Sequence, residues 1–129
     1  MRLTTLAACA AVLASAAAPA AGAHDLAPAR RGGCSVELVD EAGRALPTFE
    51  HRGRTYVLGA LGARYQVRVT NGSPRRVEVV VSVDGRDAID GRPAEWGKRG
   101  YLVEPYGAVT VDGFRLSQDA VAAFRFSSV

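Results

Sequence analysis

The clearest hydrophobic pattern in the chain is an alternation of valines within residues 75–91, RRVEVVVSVDGRDAIDG. Valine occupies every second position from Val77 to Val83, and the run ends at Asp84-Gly85, a dipeptide typical of a tight turn. β-Branched residues at a period of two indicate a strand with one buried face. Val80 lies on the opposite face, so we expect that face to be partly covered and this strand to be central in a sheet.

A second strand is predicted immediately before it. Residues 63–70 alternate, with Tyr65, Val67 and Val69 on one side, and the turn sequence NGSP follows at 71–74. The two strands therefore predict an antiparallel hairpin. Because both buried sets occupy odd positions, the numbers of facing residues must sum to an even number. A sum of 146 sets Val69 opposite Val77 and Arg68 opposite Glu78, and that oppositely charged pair favours this register.

Shorter strand patterns cover most of the remaining chain. These patterns are separated by turns rich in Gly, Pro, Asn and Asp, and no amphipathic helix of useful length occurs. They span residues 34–39, 45–50, 55–58, 101–103, 109–116 and 122–127. In the last segment Phe124 and Phe126 fall on one face and are predicted core residues. The pattern indicates an all-β fold, and we expect an antiparallel two-sheet β-sandwich, jelly-roll or immunoglobulin-like.

The N-terminus predicts export. Met1 and Arg2 precede an apolar run at 6–18, and Ala21-Gly22-Ala23 fits a small-residue cleavage site. Residues 1–23 are therefore interpreted as a signal peptide, with a secreted or periplasmic destination. The apolar run is too short for a permanent membrane anchor, so no integral membrane segment is expected after cleavage. Residues 24–33, rich in Gly, Arg and Pro, predict a flexible leader, and 34–129 the β-sandwich domain.

Composition narrows the range of partners. The predicted mature chain has 106 residues, enough for one domain. Without Arg2 its 15 basic and 13 acidic side chains leave a net charge of +2, too small to indicate nucleic acid as a partner. Cys34 is its single cysteine, which in an oxidising compartment is either buried or paired with another chain. The alternating pattern around Cys34 favours burial.

Two longer stretches carry a resemblance. The sequences VSVDGRDAIDG and GYLVEPYGAVTVDGFRLSQDAVAAFRF, within residues 63–126, resemble a group of uncharacterised secreted bacterial β-rich proteins. The resemblance implies export and a β fold, and it supplies no activity. Such chains usually continue past the FRF segment into a further apolar strand, whereas this one stops at Val129. We therefore expect a missing final strand and self-association through the open sheet edge.

The acidic loop allows two interpretations. Asp84, Asp87 and Asp90 lie three residues apart, and carboxylates with loop carbonyls are the ligands that calcium prefers. Their spacing, however, is not that of an EF-hand, and aspartate commonly forms turns by accepting a hydrogen bond from its own backbone. Turn formation is the preferred interpretation, and a calcium site on these three residues is the alternative.

No catalytic arrangement is visible in the sequence. Cys34 and His51 lack the local motifs of a nucleophilic site, and two histidines far apart do not indicate zinc. We therefore expect a protein that is not an enzyme and has no cofactor. A small secreted hydrolase is retained as the least favoured alternative.

Three aromatic residues are the candidate binding side chains. Trp96, Tyr101 and Tyr106 lie around the end of the loop 84–100, beside Lys98 and Arg99. Rings next to basic groups suit a peptide or sugar platform, but the preferred interpretation of Trp96 itself is that it plugs one end of the sandwich. The leading hypothesis is a non-enzymatic extracytoplasmic module that binds a protein or a glycan. A calcium-stabilised lectin-like domain is the second.

Overall fold

The fold is all-β. The computed structural model describes residues 29–31 and 33–128, so the predicted signal peptide lies outside the described residues. The described chain contains twelve strands and no helix. They are β1 (Ala29–Arg31), β2 (Cys34–Val39), β3 (Thr48–His51), β4 (Arg54–Val57), β5 (Arg64–Asn71), β6 (Val77–Val79), β7 (Ser82–Val83), β8 (Arg86–Asp87), β9 (Tyr101–Val103), β10 (Ala108–Val111), β11 (Gly113–Arg115) and β12 (Val121–Arg125).

The main sheet is built around β5. Its strand order is β1-β2-β5-β12-β11, with β10 also paired to β5, and all pairs are antiparallel. β2 covers one edge of β5, with Val36 opposite Val69. β10 and β12 share the other edge, with Val109 also opposite Val69. Strict alternation along β5 therefore gives one buried face, on which Val69 is completely buried.

A change of partner occurs at Asp112. β10 leaves β5 there and the chain continues as β11, so that β12 fits between β5 and β11. At this point Gly113 lies opposite Ala123, and a Cβ on Gly113 would come within 2.2 Å of the carbonyl oxygen of Ala122. The close approach of the two backbones requires glycine at 113.

The core lies against the inner face of β5. Phe124 and Phe126 are buried there and contact the ring of Tyr65, with centroid distances of 5.5 and 4.6 Å. Phe114 meets Phe124 edge to face at 5.0 Å. The prediction that both late phenylalanines are core residues is confirmed, as is the burial of Cys34. Leu116, predicted to extend a strand, is instead exposed beyond the end of β11.

The valine segment 77–83 is not a central strand. It divides into β6, which pairs with β9, and β7, which pairs with β8, each in a separate two-stranded sheet. Val79 and Val81 are nevertheless buried in the same core as β5, as the alternation predicts. The predicted burial was right and the predicted place in the sheet was wrong.

The predicted hairpin between β5 and the valine segment is also wrong. Val77 faces Val103, and Arg68 pairs with Glu37 on β2, its Nε lying 2.8 Å from Oε1. Glu37 satisfies the same electrostatic requirement as Glu78, so the charge pair alone did not identify the partner strand. Asn71 also turns the chain out of the sheet, because its side-chain amide donates to the carbonyl of Arg75 at 2.6 Å.

The structure also differs from the sequence prediction at the edges of the main sheet. Ala29–Arg31, inside the segment predicted as a flexible leader, forms β1 on the edge of β2. β12 has strand partners on both sides, so the edge strands of the main sheet are β1, β10 and β11 rather than the C-terminal strand. β3 and β4 form a separate hairpin. Within the described residues no helix is long and apolar enough to cross a membrane.

Candidate functional site

The loop that carries the candidate residues begins with a tight turn. Asp84 and Gly85 both have positive φ, 51° and 75°, and connect β7 to β8. Two left-handed residues in succession are the geometry of a two-residue hairpin turn. The Asp-Gly dipeptide thus has the role that the turn interpretation predicts.

The other two aspartates shape the loop backbone. The Oδ1 atom of buried Asp87 accepts a hydrogen bond from the amide of Ile89 at 2.7 Å. Asp90 accepts from the amide of Arg92 at 2.9 Å, and its two oxygens lie 2.8 and 2.9 Å from Nζ of Lys98. These bonds, that of Lys98 foremost, hold the pKa of Asp90 below its usual value.

The three aspartates lie in different environments. Across residues 33–128 no three side chains of the His, Cys, Asp and Glu types converge closely enough to hold a metal ion. Asp87 is buried and its carboxylate accepts from the amide of Ile89, whereas Asp84 is exposed at the turn. Lys98 occupies both oxygens of Asp90.

Trp96 is exposed on a loop that is held in place. Its side chain is 73% exposed, so the expectation that it plugs one end of a sandwich is wrong. Ahead of it the amide of Ala94 donates to the carbonyl of Gly85, and behind it the amide of Gly100 donates to Oε1 of Glu78 at 2.8 Å. Glycine is required at 100, because a Cβ there would lie 2.4 Å from the carbonyl oxygen of Val79.

Tyr101 and Tyr106 lie in different surroundings. Tyr101 opposes Val79 and packs against the core, where burial raises the pKa of its phenol. Tyr106 is 70% exposed, has a positive φ of 54°, and donates its amide to the carbonyl of Ser73. Tyr106 follows the Val103 end of the β6–β9 ladder and Trp96 precedes the Tyr101 end. Trp96 and Tyr106 are therefore exposed, whereas Tyr101 is half-buried against the core.

Cys34 and His51 are not brought together. Cys34 is buried at the start of β2, opposite Asn71, whereas His51 is exposed at the turn of the β3–β4 hairpin. His51 contacts the ring of Tyr56 at 6.3 Å. The arrangement supplies no base for the thiol among the described side chains.

Two features were missed by the sequence reasoning. The first is Asn71, completely buried, whose amide bonds to the backbone of both neighbouring turns. The second is the parallel stack of Phe49 on Tyr56, with centroids 5.3 Å apart and planes at 16°, on the β3–β4 hairpin. Their cross-strand alignment is recognisable in sequence only once the turn at Arg52-Gly53 is assigned.

Comparisons with protein-family models, with curated proteins and with solved structures gave no match.

Proposed function

We propose that the protein is a non-enzymatic, extracytoplasmic binding module whose contact residue is Trp96. The observation that carries this proposal is the 73% exposure of the indole on a loop fixed at both ends. Export rests on the predicted signal peptide, residues 1–23. The ligand is a protein or a glycan, because a mostly exposed indole offers apolar contact to both classes.

The loop around Trp96 favours recognition because its hydrogen bonds lower the entropic cost of binding. Lys98 and Asp90 form an ion pair within the loop, and Arg86 donates to the carbonyl of Gly91 at 3.0 Å. A contact residue that is already positioned loses little conformational freedom on binding. Covering a large ring that is mostly exposed to water supplies the hydrophobic gain.

The finer architecture that we propose is a two-layer sandwich. The main sheet forms one layer, and the β6–β9 and β7–β8 ladders form the other. Support comes from a single core cluster: Val79 and Val103 from the β6–β9 ladder, and Val81 between β6 and β7, join Val67 and Val69 from β5. In such an arrangement Trp96 lies on a loop of the smaller layer.

The experiment compares wild type with Trp96→Ala as baits for capture from the native envelope fraction. Leu102→Ala is the matched control, because Leu102 is also an exposed large apolar side chain. Trp96→Ala should weaken binding of the captured ligand by roughly 30-fold, as for an interface hot spot, and Leu102→Ala should leave it within about threefold. Equal capture by all three baits would contradict the proposal.

Titration distinguishes the two ligand classes. Trp96 is the chain's one tryptophan, so its fluorescence reports on this loop alone. Purified captured protein, or soluble envelope glycan, is added to the module, and the true ligand should shift the emission to shorter wavelength as the indole leaves water. A spectrum that stays unchanged with both, at saturating concentration, would exclude Trp96 as the contact.

The calcium-stabilised lectin-like alternative makes a different prediction. A calcium site raises stability by about 2.7 kcal/mol at a hundredfold excess over its dissociation constant. Our proposal predicts equal melting temperatures in calcium and in chelator. A rise of several degrees in calcium that is lost in Asp90→Asn would favour the alternative, with Asp40→Asn as a control at an acidic turn elsewhere.

A further inference from the structure

The β3–β4 hairpin has two different faces. Its two-residue turn fixes the register, in which Phe49 lies opposite Tyr56 and His51 lies opposite Arg54. Because side chains alternate between the two faces of a strand, these four side chains share one face. The rings of Phe49 and Tyr56 stack there, and His51 contacts Tyr56. One face of the hairpin is thus aromatic and basic.

Aliphatic side chains continue this face at the base of the hairpin. The amide of Leu58 donates to the carbonyl of Pro47 at 2.8 Å, which adds one more facing pair to the ladder. Leu58 is 55% exposed, and Leu61, also exposed, follows within about 11 Å even if the chain is fully extended. The name hairpin face is used below for six side chains: Pro47, Phe49, His51, Arg54, Tyr56 and Leu58.

The hairpin face is turned away from the core. On the opposite face Val57 is half-buried and packs against the core cluster. On the hairpin face Phe49 is 43% exposed, and His51 and Arg54 are exposed as well. A group of exposed large apolar side chains marks an interaction site. The hairpin face is therefore accessible to a partner.

The charge on the hairpin face is positive. Arg54 lies on it and Arg52 forms part of the turn, whereas Glu50 lies on the opposite face. Within the described chain neither arginine forms an ion pair, whereas Arg68 is paired with Glu37. Both guanidinium groups are thus available to an anionic partner.

We propose that the hairpin face binds the surface of a lipid bilayer that contains anionic phospholipids. Aromatic rings favour the headgroup level of a bilayer, and apolar side chains beside them supply buried area. Each arginine near a negatively charged membrane surface adds electrostatic attraction. The hairpin face combines these three kinds of side chain and carries no carboxylate that the phosphates would repel. Trp96 is not part of it, so this site does not depend on the proposed contact residue.

Co-sedimentation with lipid vesicles tests the proposal. The protein should bind vesicles of an equal mixture of phosphatidylcholine and phosphatidylglycerol more tightly than vesicles of phosphatidylcholine alone. Arg54→Gln should weaken the binding to anionic vesicles roughly fivefold, as expected for one basic side chain. Phe49→Ser should weaken it by roughly 3- to 9-fold, since the exposed 43% of this residue is available for burial. All proteins are compared with the same N-terminus, because the apolar segment 6–18 would itself bind lipid.

Arg75→Gln and Leu102→Ser are the matched controls, because both residues are exposed on other segments. Both, and Trp96→Ala, should bind anionic vesicles nearly as tightly as wild type. Circular dichroism verifies that each variant is folded. If Phe49→Ser is not, Leu58→Ser, which leaves the stacked rings in place, is measured instead.

Three results would overturn the proposal: equal binding to neutral and anionic vesicles, equal losses in Arg54→Gln and Arg75→Gln, or wild-type binding by the apolar variant of the hairpin face. Capture of an envelope protein through Phe49 without any binding to vesicles would also overturn it and would assign the hairpin face to a protein partner. Retained vesicle binding in Trp96→Ala would support a site separate from the proposed contact residue.

Discussion

The two valine-rich segments, 64–71 and 77–83, both bury side chains in the core but differ in their backbone neighbours. β5 is paired along both edges with β2, β10 and β12. The second segment is divided between two short ladders, each with one partner. Yet Val69 and Val79 are both completely buried. Burial follows from the alternation of side chains, whereas the position in a sheet depends on partners far away in sequence.

The largest effect is expected from a charge in the centre of β5. Val69→Asp should prevent soluble folding, because a buried carboxylate without a partner costs several kcal/mol and the whole domain is stable by only about 5–15 kcal/mol. Thr70→Asp is the control in the same strand, since Thr70 is half-buried on the opposite face. Soluble yield and far-ultraviolet circular dichroism measure both. Folded Val69→Asp protein would show that β5 is not central.

The next largest loss of stability is expected at Asn71, which links the two segments. Asn71 ends β5, and its amide donates to the carbonyls of Arg75 and Glu104 while its Oδ1 accepts from the amide of Ser73. Asn71→Leu should destabilise the protein by about 3 kcal/mol and lower Tm by roughly 15 °C, because these buried groups lose their partners. Ser73→Ala, which removes only a hydroxyl, should cost about 1 kcal/mol. Similar losses in the two variants would mean that Asn71 does not join the regions.

Two glycines provide a finer comparison. A Cβ on Gly113, in the main sheet, or on Gly100, beside β6, would lie 2.2 or 2.4 Å from a backbone oxygen. Gly113→Ala should cost about 1–3 kcal/mol and Gly100→Ala less, since a loop shifts more easily than a strand held through β12 to β5. Gly97→Ala is the control, with nothing within 4 Å of its Cβ. Urea unfolding measures the free energy of unfolding of all three variants. A larger loss in Gly100→Ala than in Gly113→Ala would contradict this prediction.

The smallest effect is expected at the ion pair of the Trp96 loop. Because the pKa of Asp90 is lowered in the folded protein, its contribution to stability is present above its ordinary value and is lost as pH falls through the folded pKa. Lys98→Met should therefore lower Tm slightly at neutral pH, and the difference from wild type should disappear well below about pH 4. Lys98→Arg keeps the charge and should retain most of the difference. If Lys98→Met lowers Tm by the same amount at acid pH as at neutral pH, the loss is due to packing rather than to charge.

Local sequence predicted the strands well. The bounds of β2 and β9 agree with the predicted segments 34–39 and 101–103, and alternation identified Val79, Phe124 and Phe126 as buried. These properties depend on neighbours one or two positions away. The all-β class follows from the same information.

Strand pairing and the candidate site could not be predicted from neighbours one or two positions away. Glu37 and Glu78 are equivalent partners for Arg68 in sequence, and only the path of the whole chain selects Glu37. Asn71 was interpreted as an ordinary turn residue, since the carbonyl of Glu104 approaches from 33 positions away. For Trp96 the pattern did not distinguish a buried plug from an exposed ring, because loop residues lack a period that relates position to burial.

The buried thiol of Cys34 makes the edge of the main sheet accessible to chemical measurement. β1 pairs with β2 at this point, with Arg31 opposite Cys34. An alkylating reagent reaches the sulfur only when that part of the sheet opens. When closing is faster than alkylation, the labelling rate is the intrinsic thiol rate multiplied by the opening equilibrium constant, as in amide hydrogen exchange. Cys34 thus serves as a built-in reporter of how often β1 and β2 separate, without any engineered probe.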